Sequence, residues 1–122
     1  PHVIAELLKM KDSYNCDTLS IAAATAALGD RAWLADNRAK ILATRRRLTD
    51  AMRTIGWNAV ESQANFVWCT HPSRPHQAVY ESLKARGILV RWMNYPGWGD
   101  GIRVTVGTDA EIDAFLAAMR QI

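Results

Sequence analysis

The stretch Ile102-Arg103-Val104-Thr105-Val106-Gly107-Thr108 combines the pattern of a strand with the start of a helix. Its apolar residues alternate with polar ones, and a period of two is typical of a strand with one buried face. Arg103 is therefore predicted to lie inside a strand, on the face opposite the apolar residues. Thr108 is followed three residues later by Glu111, which predicts a capping box and a helix that runs towards the end of the chain.

Upstream of this strand and helix, the pattern predicts three further strands and one helix. The strands are expected at Trp57–Val60, Asn65–Thr70 and Ile88–Arg91, and the helix at His76–Arg86. Asn65–Thr70 is a continuous apolar run, which is typical of a strand covered on both faces. The segment Asn94–Gly101 is dense in turn-forming residues and is predicted to contain no regular structure.

The N-terminal part of the chain has a helical pattern. Helices are predicted over Pro1–Lys9, from Asp17 to Leu28, and from Asp30 to Ile55, with the two aspartates as N-caps. We therefore expect an α+β fold, with N-terminal helices that include one long helix, followed by a β-β-α-β-β-α small sheet domain. Residues 1–122 are expected to form a single domain, because this length supports one core of ordinary size.

The composition is that of a soluble globular protein. Hydrophobic residues make up 49% of the 122 residues and charged residues 22%, far from the composition of disordered chains. No run approaches the roughly 20 apolar residues of a membrane-spanning helix, and the first residues do not resemble a secretory leader, so a cytoplasmic protein with no membrane partner is expected. Cys16 and Cys69 lack metal-ligand spacing and are expected to be reduced apolar filler residues, and no metal site is predicted.

The formal charge of +3 and the run Arg45-Arg46-Arg47 raise the possibility of nucleic-acid binding. The helical period places this run within a long amphipathic helix, with at least two of the arginines directed to solvent. The chain also has no aromatic RNA-binding motif, GXXG loop or helix-turn-helix pattern. No nucleic-acid partner is expected; a basic binder would show steeply salt-dependent affinity.

Two arginines occupy strand positions and are candidates for anion binding. Arg91 ends one predicted strand and Arg103 lies within another, and a guanidinium pairs at two points with a carboxylate or phosphate. Alternatively, each arginine pairs with an acid of its own domain, or Arg103 faces solvent. The three histidines are interpreted as surface residues, and Asn65 and Tyr14 lie at junctions where polar side chains usually cap backbone groups. These residues alone leave the function open.

Four motifs follow one another along the chain: Lys11-Asp12-Ser13-Tyr14-Asn15 before an Ala-rich helix, Ser62-Gln63-Ala64-Asn65-Phe66, Arg86-Gly87-Ile88-Leu89-Val90-Arg91 and Ile102-Arg103-Val104-Thr105-Val106-Gly107-Thr108. In register, they resemble the C-terminal third of histidinol-phosphate aminotransferases, which are fold-type I pyridoxal-phosphate enzymes of aminotransferase class I/II. The resemblance extends in order over nearly the whole chain.

The resemblance implies a substrate-clamping small domain of a longer aminotransferase. Such an enzyme transfers an amino group between an amino acid or amine, such as histidinol phosphate, and a 2-oxo acid such as 2-oxoglutarate. By the same resemblance, Arg103 grips the substrate α-carboxylate or its equivalent, Arg91 helps to hold a phosphate, and Asn65 and Tyr14 line the site. The aromatic stretch Trp92–Trp98 departs from the family pattern and is expected to make the pocket bulkier and less polar.

The implied cofactor is pyridoxal 5'-phosphate, held mainly by a large domain that this chain does not contain. None of the four lysines lies in the family's Ser-x-Ser-Lys context, so this chain alone is expected to be inactive, with no catalytic residue of its own. The parent is expected to be a homodimer acting on a small-molecule amino acid or amino-alcohol phosphate. The alternative is a stand-alone amino-acid-binding or regulatory module without catalysis.

Overall fold

The computed structural model describes residues 2–12, 15–97 and 99–122. These residues form five helices and a four-stranded antiparallel sheet, which confirms the predicted α+β class. In chain order the elements are α1 (His2–Met10), α2 (Thr18–Gly29), α3 (Arg31–Thr54), β1 (Asn58–Ala59), β2 (Phe66–Thr70), α4 (His76–Ala85), β3 (Arg91–Tyr95), β4 (Gly99–Thr105) and α5 (Asp109–Met119).

The sheet has the strand order β1-β2-β4-β3, so β4 lies between β2 and β3. On one face of the sheet, Ile102 and Val104 of β4 are 1% and 3% exposed. Val67 and Cys69 of β2 pair with them through the register and are fully buried. These side chains form one hydrophobic cluster with residues of α3, α4 and α5, including Leu48, Leu83 and Phe115. The alternation in β4 therefore predicted the buried face correctly.

Two compact units divide the chain, Pro1–Ala35 and Asp36–Ile122. In the first unit, α1 and α2 contain no buried residue, and their large apolar side chains are exposed. The second unit contains the sheet and the core. The expectation that residues 1–122 form a single domain stays a prediction.

The hairpin of β3 and β4 corrects two sequence expectations. The strand predicted at Ile88–Arg91 begins at Arg91 and continues to Tyr95, and β4 begins at Gly99, so much of Asn94–Gly101 is regular strand. Gly97 and Gly99 have φ values of 80° and 84°, which a tight turn between the two strands requires and which glycine adopts without strain. The turn-forming residues therefore serve a hairpin, because pairing with β4 outweighs the low strand propensity of this segment.

The caps follow the sequence closely. The side chain of Asp17 accepts a hydrogen bond from the backbone of Ser20 at 2.9 Å, and that of Asp30 accepts one from Trp33 at 3.0 Å. At α5, Thr108 and Glu111 form both halves of a capping box. Of the apolar repeat in α3, Leu48 is fully buried, whereas Leu34 is 60% exposed. The repeat predicted the helix correctly. Among the described residues, only the C-terminal half of α3 contains buried side chains.

Two expectations about single residues are wrong. Cys16 is exposed and so does not fill a core; Cys69 does, and burial raises the pKa of its thiol to about 12. His76, interpreted as a surface residue, is 7% exposed. In the described part of the chain, no helix is both long and apolar enough to cross a membrane.

We predict that α1 and α2 are weakly protected in the 122-residue chain. Isolated helices of this length are marginal in water, and neither helix buries a side chain that would stabilise it. Their amide hydrogens should exchange at least about a hundredfold faster than those of α5, as measured by hydrogen–deuterium exchange with mass spectrometry. Equal protection of all three helices would contradict this prediction.

The capping box at α5 predicts a pH-dependent contribution to stability. Hydrogen bonds from the backbone and hydroxyl of Thr108 hold the pKa of Glu111 below its ordinary value of 4.5. Because the folded pKa is depressed, the contribution is present above pH 4.5 and is lost as the pH falls through the folded pKa. In Glu111→Gln, urea-unfolding midpoints should therefore fall less between pH 6 and pH 3 than in the wild type.

The matched control is Glu81→Gln. Glu81 is an exposed glutamate of α4 with no hydrogen-bond partner among the described residues. This substitution should leave the pH profile of the unfolding midpoint unchanged. An equal flattening in both variants would show that the effect comes from net charge and not from the cap.

Candidate anion-binding site

Arg103 lies in the middle of the central strand, on the face opposite the core. It is paired in register with Trp68 of β2 on one side and with Arg91 of β3 on the other. Directly paired residues of antiparallel strands project on the same face. Trp68, Arg103 and Arg91 therefore form one row across three strands, with the two arginines side by side.

The two arginines have no counter-charge within the described residues. Neither forms an ion pair with any acid there, and the buried Nε of Arg103 has no hydrogen-bond partner. Arg47, by contrast, is paired with Asp109 and Asp113. Within the described part of the chain, the alternative that each strand arginine pairs with an acid of its own domain has no support.

Aromatic rings flank Arg103. Its guanidinium carbon lies 5.3 Å from the centroid of the Phe66 ring, within the range of a cation–π contact. The Trp68 indole packs against Gly101, where an added Cβ would lie 2.4 Å from indole Cζ2 and 2.9 Å from the Cys69 carbonyl oxygen. The row thus has a rigid aromatic surround, which restricts the rotamers available to the Arg103 side chain.

The sequence analysis missed Phe66 and Trp68 as site residues. The run Asn65–Thr70 was interpreted as a strand covered on both faces, but burial alternates along β2: Val67 and Cys69 are buried, and the residues between them are half-buried. The sequence carried no signal for this alternation, because it follows from the pairing of β2 with β4, a strand that is distant in the sequence.

The other predicted site residues differ in position. Asn65 directly precedes β2 and accepts a backbone hydrogen bond from Val106 at 2.8 Å, with its side chain exposed. Tyr14 lies outside the described residues. The expectation that Trp92 crowds the pocket beside Arg91 is wrong, because Trp92 pairs with Ile102 and shares its core-facing side of the sheet. Trp98, at the end of that aromatic stretch, is also outside the described residues.

Two adjacent guanidinium groups are suited to a dianion or to a ligand with two anionic groups. Like charges directly opposite each other on a sheet are unfavourable, and a bound anion converts that repulsion into attraction. A guanidinium provides paired donors for carboxylate or phosphate oxygens. Among the described residues, no cluster of three or more His, Cys, Asp or Glu side chains could hold a metal ion.

The lysines of this chain do not fit a Schiff-base role. All four are exposed, and Lys9 and Lys40 form surface ion pairs with Glu6 and Asp36. A lysine that binds an aldehyde cofactor must be desolvated or have its pKa lowered by its surroundings.

The family of the chain is shown by its sequence. The profile of the family described as "Aminotransferase class I and II" matches residues 1–119. The chain therefore belongs to the class I and II aminotransferase family, whose members use pyridoxal 5'-phosphate. This confirms the resemblance drawn from the four motifs.

The curated relatives that the chain matches are longer proteins. The histidinol-phosphate aminotransferase of Rhodopirellula baltica is 58% identical over 116 residues, covering 95% of this chain and 32% of that protein. The histidinol-phosphate aminotransferase of Geobacter sulfurreducens is 40% identical over 122 residues, covering 100% of this chain and 35% of that protein. The chain thus spans about a third of the length of these relatives.

Solved structures share the fold. A Burkholderia pseudomallei protein assigned as an aminotransferase superposes with a TM-score of 0.86 at 31% identity, over 98% of this chain and 37% of that one. A decarboxylase from Sulfurospirillum multivorans superposes with a TM-score of 0.82 at 23% identity, over 98% of this chain and 36% of that one. The second likeness shows the fold alone.

Substitution of one arginine of the pair is expected to raise the stability of the fold and to weaken anion binding. Arg91→Gln removes the cross-strand repulsion and should raise the free energy of unfolding by about 0.2–1 kcal/mol in low-salt buffer. Added inorganic phosphate should then stabilise the wild type more than the variant, because a ligand stabilises the state that binds it. Chemical unfolding with and without phosphate measures both effects.

Arg46→Gln is the control for this comparison. Arg46 is exposed on α3 and has no ion pair among the described residues, so its substitution makes the same change in charge away from the sheet. The stabilisation by phosphate should be retained. An equal reduction in both variants would indicate general charge screening instead of a site at Arg91.

Proposed function

We propose that this chain is the substrate-clamping small domain of a longer pyridoxal-phosphate-dependent aminotransferase, and that Arg91 and Arg103 bind the anionic groups of its substrates. The observation that carries the proposal is the cross-strand pair of arginines without a counter-charge. Membership of the aminotransferase family and the names of the curated relatives support it.

The two arginines have different proposed roles. Arg103, held against Phe66 with a buried Nε that lacks a partner, grips the α-carboxylate or the equivalent end of the substrate. Arg91 is more exposed and binds a second anionic group, the phosphate of an amino-alcohol phosphate such as histidinol phosphate. A 2-oxo acid with two carboxylates, such as 2-oxoglutarate, offers the same pair of charges, so one site serves both substrates.

The chain contributes orientation and water exclusion instead of bond-making. The cofactor is assigned to the part of the parent outside this chain, because none of the four lysines lies in the family's Ser-x-Ser-Lys context. A substrate fixed at two points loses the rotational freedom that would otherwise oppose the reaction, and the aromatic rings beside Arg103 exclude water. Asn65 and Tyr14 are proposed to line the same site, and the parent is proposed to be a cytoplasmic homodimer.

The test uses the longer parent chain, expressed with pyridoxal phosphate and followed by visible absorbance. The wild type should show a yellow cofactor band that shifts when L-glutamate is added. Arg103→Ala should keep the yellow band but lose about a hundredfold in kcat/KM, since two charge-assisted hydrogen bonds are removed. Arg46→Ala should behave like the wild type.

A different outcome favours the alternative. If the parent is colourless and ignores added pyridoxal phosphate, the aminotransferase proposal fails. Glutamate binding that depends on Arg103 in such a colourless chain would identify an amino-acid-binding or regulatory module, because the arginine pair binds anions with no need for a cofactor.

A further inference from the structure

His76 lies on the core side of the sheet, behind the arginine pair. It is the first residue of α4 and is 7% exposed. Its Nδ1 lies 2.9 Å from a carboxylate oxygen of Asp100, and its Nε2 lies 2.7 Å from the backbone N–H of His71. Because the His71 N–H donates, Nε2 must accept, and the ring is assigned as neutral with its proton on Nδ1. Nδ1 therefore donates to Asp100.

Asp100 joins both strands of the hairpin that carries the arginines. It lies on β4, three residues before Arg103, and its second oxygen is 3.4 Å from the indole nitrogen of Trp92, the residue after Arg91. The hydrogen bond from His76, with a smaller contribution from Trp92, holds the pKa of Asp100 below its ordinary value. The carboxylate is thus ionised at neutral pH and accepts from β3 and from α4 together.

The imidazole that anchors Asp100 cannot readily turn. Trp57, 2% exposed, packs its ring 5.7 Å from that of His76 and 5.3 Å from that of His71. Both ring nitrogens of His76 are engaged in hydrogen bonds. His76 therefore ties Asp100 of β4 to the N-terminus of α4 in a fixed orientation, in addition to the contacts that Ile102 and Val104 of the same strand make in the core.

β3 is the less buried strand of this hairpin. β3 is an edge strand whose only neighbour is β4 among the described residues. None of its residues is fully buried, and Arg91 faces Arg103 across the ladder. Edge strands are held on one side only, and the repulsion between the arginines tends to open this one.

We propose that Asp100 and His76 are positioning residues for the arginine pair: by tying β3 and β4 to the N-terminus of α4, they set the spacing at which Arg91 and Arg103 meet an anionic ligand. The proposal rests on the proposed function of that pair. Neither residue touches the ligand, since Asp100 lies on the opposite face of the sheet from Arg103.

The experiment compares three variants in the longer parent chain loaded with cofactor. Asp100→Ala removes both hydrogen bonds, and Asp100→Asn keeps an oxygen that accepts from His76. Asp113→Ala removes a carboxylate of α5 that forms an ion pair with Arg47 of α3. This site is away from the hairpin, so the variant serves as a matched loss of one carboxylate. The measurements are the KM and kcat of aminotransfer, the Kd of inorganic phosphate by calorimetry, the cofactor absorbance and the thermal midpoint.

In Asp100→Ala we expect KM and the phosphate Kd to rise about tenfold, with kcat within about twofold and the cofactor band unchanged. Asp100→Asn should recover most of the loss, because the hydrogen bond from His76 is retained. Asp113→Ala should lower the thermal midpoint without changing either constant. A purely structural role for Asp100 would lower the midpoint in the same way and leave both constants at their wild-type values, which would overturn the proposal.

If Asp100→Ala does not fold, His76→Phe provides the same test, because it keeps a ring against Trp57 and removes the donor to Asp100; an unchanged phosphate Kd in that variant overturns the proposal. Phosphate binding is measured without turnover, so a parent that binds phosphate but does not transfer amino groups refutes the proposed function alone. A wild-type parent without measurable phosphate affinity overturns the positioning proposal.

Discussion

The antiparallel pairing of β4 with a strand on each side is the constraint on which the rest of the structure depends. β4 lies between β2 and β3, and its alternation assigns every side chain of β2 and β3 to one of two faces. One face closes over the core with Ile102 and Val104. The other face must then carry Arg103 and Arg91 together. The register of β4 with β2 and β3 therefore determines both the face that packs on the core and the face that carries the candidate site.

The sequence predicted features that local chemistry decides. Aspartate and threonine N-caps, the capping box of α5 and the period-two pattern around Arg103 depend on neighbours within a few residues, and each can be read directly. Features that depend on distant partners were misjudged. Asn94–Gly101 has the composition of a turn, but its two ends pair with each other as a hairpin. His76 is buried because it contacts Trp57 and Asp100, and the residues next to His76 in the sequence do not indicate these contacts.

The site illustrates how a shared fold leaves room for different chemistry. The same arrangement of helices and strands is found in an aminotransferase and in a decarboxylase, so the backbone does not determine the reaction. In this chain the candidate site consists of a few side chains on one sheet face: two arginines without ion pairs among the described residues, and the rings of Phe66 and Trp68 beside them. The resemblance identified the arginines, and only the register showed that they are neighbours.

The contact between Trp68 and Gly101 also constrains how this surface can evolve. A side chain at position 101 would collide with the indole and with the Cys69 carbonyl, so alanine there is unfavourable while position 68 is tryptophan. A smaller residue at position 68 would remove the indole contact, though not that with the carbonyl. Because the backbone contact remains, position 101 stays restricted to glycine, and change on this surface is confined to position 68. Substitution there would reshape the aromatic surround of Arg103 without any change in the strand that carries it.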